Sequence, residues 1–294
     1  MKKFFVCTIA LGTIAMAGSA VAADMTMPLK APPAPLPAWS WTGFYAGGNV
    51  GYGWASDPTT LTDTTTTSLT RVDDADTPTP VFIPLGSTSA SVAGSGNIDP
   101  NGWLAGLQAG YNWQSNSIVY GLEGDIQISG QRGSITICDT VGCPIGSGSA
   151  ADSLKMPWFG TLRARLGFTP SPRWLVYGTG GLAVAEIKDS VAEGPVGGGA
   201  GTAWSTDMTR AGFAVGGGVE AAITDHWSIK VEYLYMGFGT VSGGGTGAAV
   251  TTTTGTCPFC APPRIVEQLT TQTASATSTR IDDNVVRVGL NYHF

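Results

Sequence analysis

The sequence predicts an all-β fold: a transmembrane, up-and-down antiparallel barrel of eight strands. Three observations carry this. The chain ends in a strand of strict alternation, with Val286, Val288, Leu290, Tyr292 and Phe294 on one parity and Arg287, Gly289, Asn291 and His293 on the other. That period of two gives one apolar and one polar face. The gaps between such segments alternate between two or three residues and sixteen or more, as in a barrel with short turns at one end and long loops at the other. The composition is sparing in charge, at 12%, and rich in glycine, with 42 residues. That charged fraction is about half the usual soluble value.

Before the first strand, Lys2 and Lys3 precede the apolar run from Phe4 to Ala17, and Ala20-Val21-Ala22 forms a small-x-small cleavage site. Residues 1–22 are therefore expected to be a secretory signal peptide. The mature chain would carry 13 basic against 21 acidic residues, a balance that disfavours nucleic acid as a partner. Residues 23–40, with Pro28, Pro32, Pro33, Pro35 and Pro37, read as an extended periplasmic leader. The barrel domain is expected over residues 41–294. No later stretch approaches 18 unbroken apolar residues, so no spanning helix is expected.

The strands are expected near 41–55, 102–115, 118–133, 158–170, 174–189, 206–224, 227–239 and 282–294. Asn116-Ser117, Ser171-Pro172-Arg173 and Asp225-His226 form the short turns. An even strand number returns both chain ends to one side. After secretion that side is the periplasm, so the short turns are periplasmic and the loops at 56–101, 134–157, 190–205 and 240–281 extracellular. The Thr-rich stretches Thr59–Thr70 and Thr251–Thr279 are close to low complexity and are expected to be mobile.

Parity sorts the strands into two faces. The apolar face includes Phe44, Val50, Trp103, Leu107, Leu122, Ile126, Leu162, Leu166, Phe213, Val219, Ile229 and Val231. The polar face includes Asn49, Gln108, Asn112, Gln127, Asn291 and eight charges: Glu123, Asp125, Arg163, Arg165, Glu220, Lys230, Glu232 and Arg287. In the fifth expected strand Trp174 and Tyr177 fall on opposite parities. Aromatics gather at both strand ends, as two interfacial belts would. A basic side chain facing lipid at mid-bilayer costs roughly 2–4 kcal/mol, so the charged face is expected to point inward. With four acids and four bases it should form a mutually paired plug, because an eight-strand interior is just wide enough for side chains. The alternative is a small channel for ions or small solutes.

Cys138, Cys143, Cys257 and Cys260 remain after processing, an even number that suits an oxidising compartment. Local disulfides 138–143 and 257–260 are expected, with cross-loop pairing the alternative. Cys257-Pro-Phe-Cys260 has redox spacing, but Ala261-Pro-Pro263 offers no helix start to stabilise a thiolate. Asp73, Asp74 and Asp76 cluster in the first long loop and read as a solvated acidic patch. No catalytic, cofactor or metal residue is expected. His226 and His293 both lie at the short-turn end, no Gly-x-Ser-x-Gly elbow occurs, and Gly178-Thr-Gly-Gly-Leu-Ala lacks the last glycine of a dinucleotide fingerprint.

The stretch Trp41-Thr-Gly-Phe-Tyr-Ala-Gly-Gly-Asn-Val-Gly-Tyr-Gly-Trp54 resembles the first strand of the alphaproteobacterial porin-family surface antigens. So do Gly106-Leu-Gln-Ala-Gly-Tyr-Asn-Trp113, Thr161-Leu-Arg-Ala-Arg-Leu-Gly167, Tyr177-Gly-Thr-Gly-Gly-Leu-Ala183 and Val288-Gly-Leu-Asn-Tyr-His-Phe294. The resemblance implies an outer-membrane barrel with antigenic loops and a role in envelope integrity. The terminal Phe294 resembles the aromatic signal read by the barrel assembly machinery. The implied partners are that machinery, outer-membrane lipid and lipopolysaccharide, and extracellular surfaces met by the loops. The sequence leaves oligomeric state open.

Overall fold

A computed structural model describes residues 39–73, 79, 81–138, 149–194, 201–254 and 266–294. Eleven strands run through them: β1 (Gly43–Trp54), β2 (Asp57–Asp73), β3 (Val81–Ile98), β4 (Asn101–Ser115), β5 (Ile118–Cys138), β6 (Ser149–Ser171), β7 (Trp174–Glu193), β8 (Ala203–Ala222), β9 (Trp227–Thr246), β10 (Val250–Thr254) and β11 (Val266–His293). All pairings are antiparallel. Eight strands close a ring in the order β1-β4-β5-β6-β7-β8-β9-β11, sealed by β11 on β1 from Tyr45↔His293 to Trp54↔Asn284.

The three further strands correct the expected eight. β2 lies along the first half of β11, from Thr59↔Thr279 to Val72↔Val266, β3 lies along β2, and β10 pairs with β11. The stretches Thr59–Thr70 and Thr251–Thr279, expected to be mobile loops, thus supply most of β2, most of β10 and part of β11. The physical reason is that threonine is β-branched and suits a pleated surface. Here its hydroxyls also cross-link neighbouring strands: Thr59 Oγ1 lies 3.0 Å from Thr279 Oγ1, and Thr64 Oγ1 lies 3.0 Å from Ser91 Oγ. Low compositional complexity hid a regular sheet.

The strands consequently run well past any membrane. With 28 residues, β11 is about 95 Å long at roughly 3.4 Å per residue, against an apolar band of roughly 25 Å in outer-membrane barrels. The short turns sit where expected, at Asn116-Ser117, Pro172-Arg173 and Thr224–His226. Asn116 takes the left-handed conformation (φ 54°) that a two-residue hairpin demands and asparagine tolerates.

Side chains on the two faces separate sharply. Leu107, Leu122, Leu162, Leu166 and Leu182 point outward, each more than half exposed. Aromatic clusters mark both edges of this band: Trp113 stacks on Tyr120 and Tyr292 meets Trp227 near the short turns, while Trp54 meets Tyr233 at the other edge. The fifth expected strand, β7, also resolves. Trp174 is exposed, whereas Leu175 and Tyr177 turn inward.

Four predicted cysteine roles and the acidic patch fall outside what is described. Cys143, Cys257, Cys260, Asp74 and Asp76 are not among the described residues, and only the backbone of Cys138 and Asp73 is. The predicted signal peptide also lies outside them.

Candidate functional site

The site is the barrel lumen, a stack of four side-chain layers. Nearest the short turns lies an aromatic floor. Trp41 is fully buried; its backbone N–H donates to Gln114 Oε1 at 2.8 Å and its Nε1 to the Pro172 carbonyl at 3.2 Å. Trp39 meets Trp41 edge-on at 5.4 Å and His293 at 5.1 Å, and Tyr45 stacks on His293 at 5.5 Å. Just ahead of β1, Trp39 and Trp41 thus fold back into the ring. The sequence reading assigned Trp41 to the first strand and missed this. A tryptophan two residues from another, beside a Pro-rich leader, is the signal it had.

The second layer brings together all eight charged side chains singled out from the sequence, none more than 9% exposed. Their backbones place them there by parity: Glu123 and Asp125 on β5, Arg163 and Arg165 on β6, Glu220 on β8, Lys230 and Glu232 on β9, Arg287 on β11. Glu123 is the hub. It accepts from Arg163 at 2.6 Å and from Lys230 at 2.8 Å, and lies 3.6 and 3.5 Å from Arg165 and Arg287. Asp125 meets Arg163 at 2.9 Å and Arg287 at 3.0 Å. Glu232 meets Arg287 at 2.6 Å and Arg163 at 3.1 Å, and Glu220 meets Arg165 at 2.8 Å.

The remaining strands supply neutral partners. Tyr45 of β1 donates to Glu123 at 2.8 Å, and Tyr177 of β7 to Glu232 at 3.0 Å. Gln108 of β4 links Asn49 to Asn291, whose amide donates to Glu220 at 2.8 Å. The Arg165 guanidinium also lies 3.9 Å from the Tyr177 ring centroid, a cation–π contact. Every strand of the ring therefore contributes to one hydrogen-bonded cross-section. Room for it comes from glycine: a Cβ on Gly289 would sit 2.8 Å from Gln108 Nε2 and 3.2 Å from Lys230 Cε.

Above the charges lies an apolar layer of buried side chains, including Leu104, Phe159, Leu234, Met236 and Val285. The sequence reading did not name it, although each residue shares the parity of a charged or amide neighbour on its own strand. Parity alone turns these side chains inward.

The fourth region, toward the far ends of the strands, is rich in buried acids, with a second apolar cluster of Leu61, Ile137, Ala150 and Val191 among them. Asp57, Asp63, Asp152, Asp189 and Glu193 are each buried. Burial, reinforced by a hydrogen bond with Asp189, pushes the Asp152 carboxyl up to about 8, and burial pushes Asp57 up to about 7. No trio of His, Cys, Asp and Glu side chains converges among the described residues.

The outer membrane protein beta-barrel domain family matches residues 9–294. The chain belongs to this family. It is 34% identical, over the full length of both chains, to the 31 kDa outer-membrane immunogenic protein of Brucella melitensis. It is 28% identical to the 25 kDa outer-membrane immunogenic protein of Brucella abortus, covering 81% of this chain and 85% of that one. Among solved structures, outer membrane protein OprG of Pseudomonas aeruginosa aligns over 87% of this chain and 98% of its own, at 12% identity and a TM-score of 0.39. The family membership identifies the chain as an alphaproteobacterial-type outer-membrane surface antigen, and its location as the outer membrane of a Gram-negative cell.

Proposed function

We propose that this protein is a structural, non-conducting barrel of the outer membrane that presents its long strands as an antigenic contact surface outside the cell. The observation that carries the reading is the charged layer: four acids and four bases, all buried, joined across the full ring. A solute would have to displace these ion pairs and then pass the apolar layer above them. Separating one buried ion from its partners costs on the order of 3–5 kcal/mol, so opening the cross-section would cost a large part of a typical fold stability of about 5–15 kcal/mol.

In this reading the short turns face the periplasm and β2, β3 and β10 stand outside the cell. Residues 1–22 direct export and are cleaved, the periplasmic leader expected over residues 23–40 ends where Trp39 folds back into the ring, and Phe294, 79% exposed at the end of the sealing strand, is the mark for the barrel assembly machinery. The outer band contacts lipid and lipopolysaccharide. The 31 kDa and 25 kDa Brucella relatives are named as immunogenic proteins.

Planar-bilayer recording on the purified, refolded protein tests the reading. The expected trace has no stable conductance steps. Reproducible nanosiemens steps would overturn the proposal in favour of a small channel.

A further inference from the structure

The outward face of the barrel carries a row of basic side chains. In the strand register Arg132 of β5 stands opposite Lys155 of β6, and Lys155 stands opposite Lys188 of β7. Arg132 and Lys155 are exposed, and the Lys188 side chain is 41% exposed. Like charges directly opposite one another on a sheet face repel. Lys188 has counter-charges beside it: its Nζ lies 3.2 Å from Glu186 and 3.4 Å from Asp207. Arg132 and Lys155 form no ion pair among the described residues. Other exposed bases are matched, Arg173 with Asp225 at 3.2 Å and Arg280 with Asp282 at 3.0 Å.

The row sits at the depth of a lipid headgroup. Twelve residues of β5 separate Arg132 from Tyr120, an aromatic of the belt near the short turns. At roughly 3.4 Å per residue and a tilt of about 40° the rise is about 31 Å, against an apolar band of roughly 25 Å. Arg132 therefore stands just past the far edge of the band. Trp103 confirms the level, because it lies two residues toward the short turns from Asn101, the register partner of Arg132. Four residues below Arg132 on β5, Ile128 lines an open apolar groove of about 590 Å³ with Val50, Ala105, Leu107 and Ile126. Gly48 deepens this groove without any need from within the chain: a Cβ there would meet no atom closer than 3.6 Å.

We propose that Arg132 and Lys155, flanked by Lys188, bind the phosphate groups of lipopolysaccharide, with an acyl chain of the same molecule in the groove beneath. The proposal deepens the reading above and rests on its orientation, with the long-strand end outside the cell, where the leaflet is built of this phosphorylated glycolipid. It gives the lipopolysaccharide contact of the outer band a fixed address on β5, β6 and β7. A phosphate between Arg132 and Lys155 relieves their repulsion and accepts charge-assisted hydrogen bonds from both. Basic side chains just outside the apolar region attract anionic headgroups in general. The groove is what favours a phosphate joined to an acyl chain over a free phosphate ion.

The test is native mass spectrometry of the full mature chain, refolded in detergent micelles and titrated with purified bis-phosphorylated lipid A. Saturable binding is expected, weakened about tenfold or more when Arg132→Gln and Lys155→Gln are combined. Arg173→Gln, which removes an exposed base at the short-turn end, should bind as the unaltered protein does. Lipid A stripped of its phosphates, and phosphatidylglycerol, should each bind the unaltered protein about tenfold more weakly or worse. Heat-modifiable migration on gels shows whether the double variant has folded, and the comparison of lipids needs no variant. Unchanged affinity in the folded double variant overturns the proposal. So does equal affinity for the stripped lipid A, or for phosphatidylglycerol, which would mark a general anionic surface only. A silent barrel that fails to bind lipid A refutes this proposal alone, and a conducting barrel that binds it refutes the non-conducting reading alone.

Discussion

At the scale of single residues, the lumen rests on reciprocity of charge. Arg163 touches Glu123, Asp125 and Glu232 within 3.1 Å, so its removal takes a counter-charge from three carboxylates at once and leaves the closed layer with one uncompensated negative charge. Arg163→Ala should lower stability by about 3–5 kcal/mol, read as a shift in urea unfolding of the protein in lipid vesicles. Combining it with Asp125→Asn removes one stranded charge. The double variant should therefore lose less than the sum of its single variants, and strict additivity would show that the two side chains do not interact. Tyr177 illustrates what residue type alone conceals. Its ring broke the alternation of its strand because it serves the interior, where its hydroxyl reaches Glu232.

At the scale of elements, the strands outside the apolar band depend on threonine pairing and on buried acids. Asp152 and Asp57 are held by burial above the usual carboxylate range, at about 8 and about 7. A carboxyl raised in the folded state keeps its proton there while the unfolded chain ionises. Its stabilising contribution is complete below about pH 4, the ordinary carboxylate range, and is lost as pH rises toward 8. The extension built from β2, β3 and the outer half of β11 should accordingly open more readily at pH 9 than at pH 5. Hydrogen exchange of the backbone amides of residues 57–73, corrected for intrinsic rate, measures this. Equal protection at the two pH values would contradict the burial of these acids. The balanced layer carries its own counter-charges, so this change should be confined to the outer strands.

At the scale of the whole molecule, closure is the decisive property. β11 pairs with β1 on one edge and β9 on the other over the same stretch, Asn284–Tyr292, leaving no free edge in the ring. A closed barrel with a hydrogen-bonded interior should resist detergent at room temperature. The unboiled protein should migrate apart from the boiled one on denaturing gels, and identical migration would count against closure. The same closure explains how much of the lumen was legible. Once a strand is known to have one lipid face, parity assigns the other, and all eight named charges follow from that rule. Trp41 was not legible because it acts from outside a strand, where period two says nothing. The apolar layer was legible and overlooked, since Leu234 follows Glu232 on the same face. β2, β3 and β10 were not legible because their threonines and serines alternate in contact rather than in hydropathy.

The sequence by itself therefore determined the class of fold, the lipid-facing and inward-facing sides of the ring strands, and the outer-membrane location, because each is a consequence of local alternation and of the chemistry of a bilayer. Only the tertiary structure decided which charges meet, that aromatic and apolar layers flank them, and that the Thr-rich segments extend the sheet beyond the membrane. Those outcomes depend on strand register and ring closure. Both bring together residues as distant as Tyr45 and Glu123, or Asp63 and Ser275, and neither leaves a periodic trace in the chain.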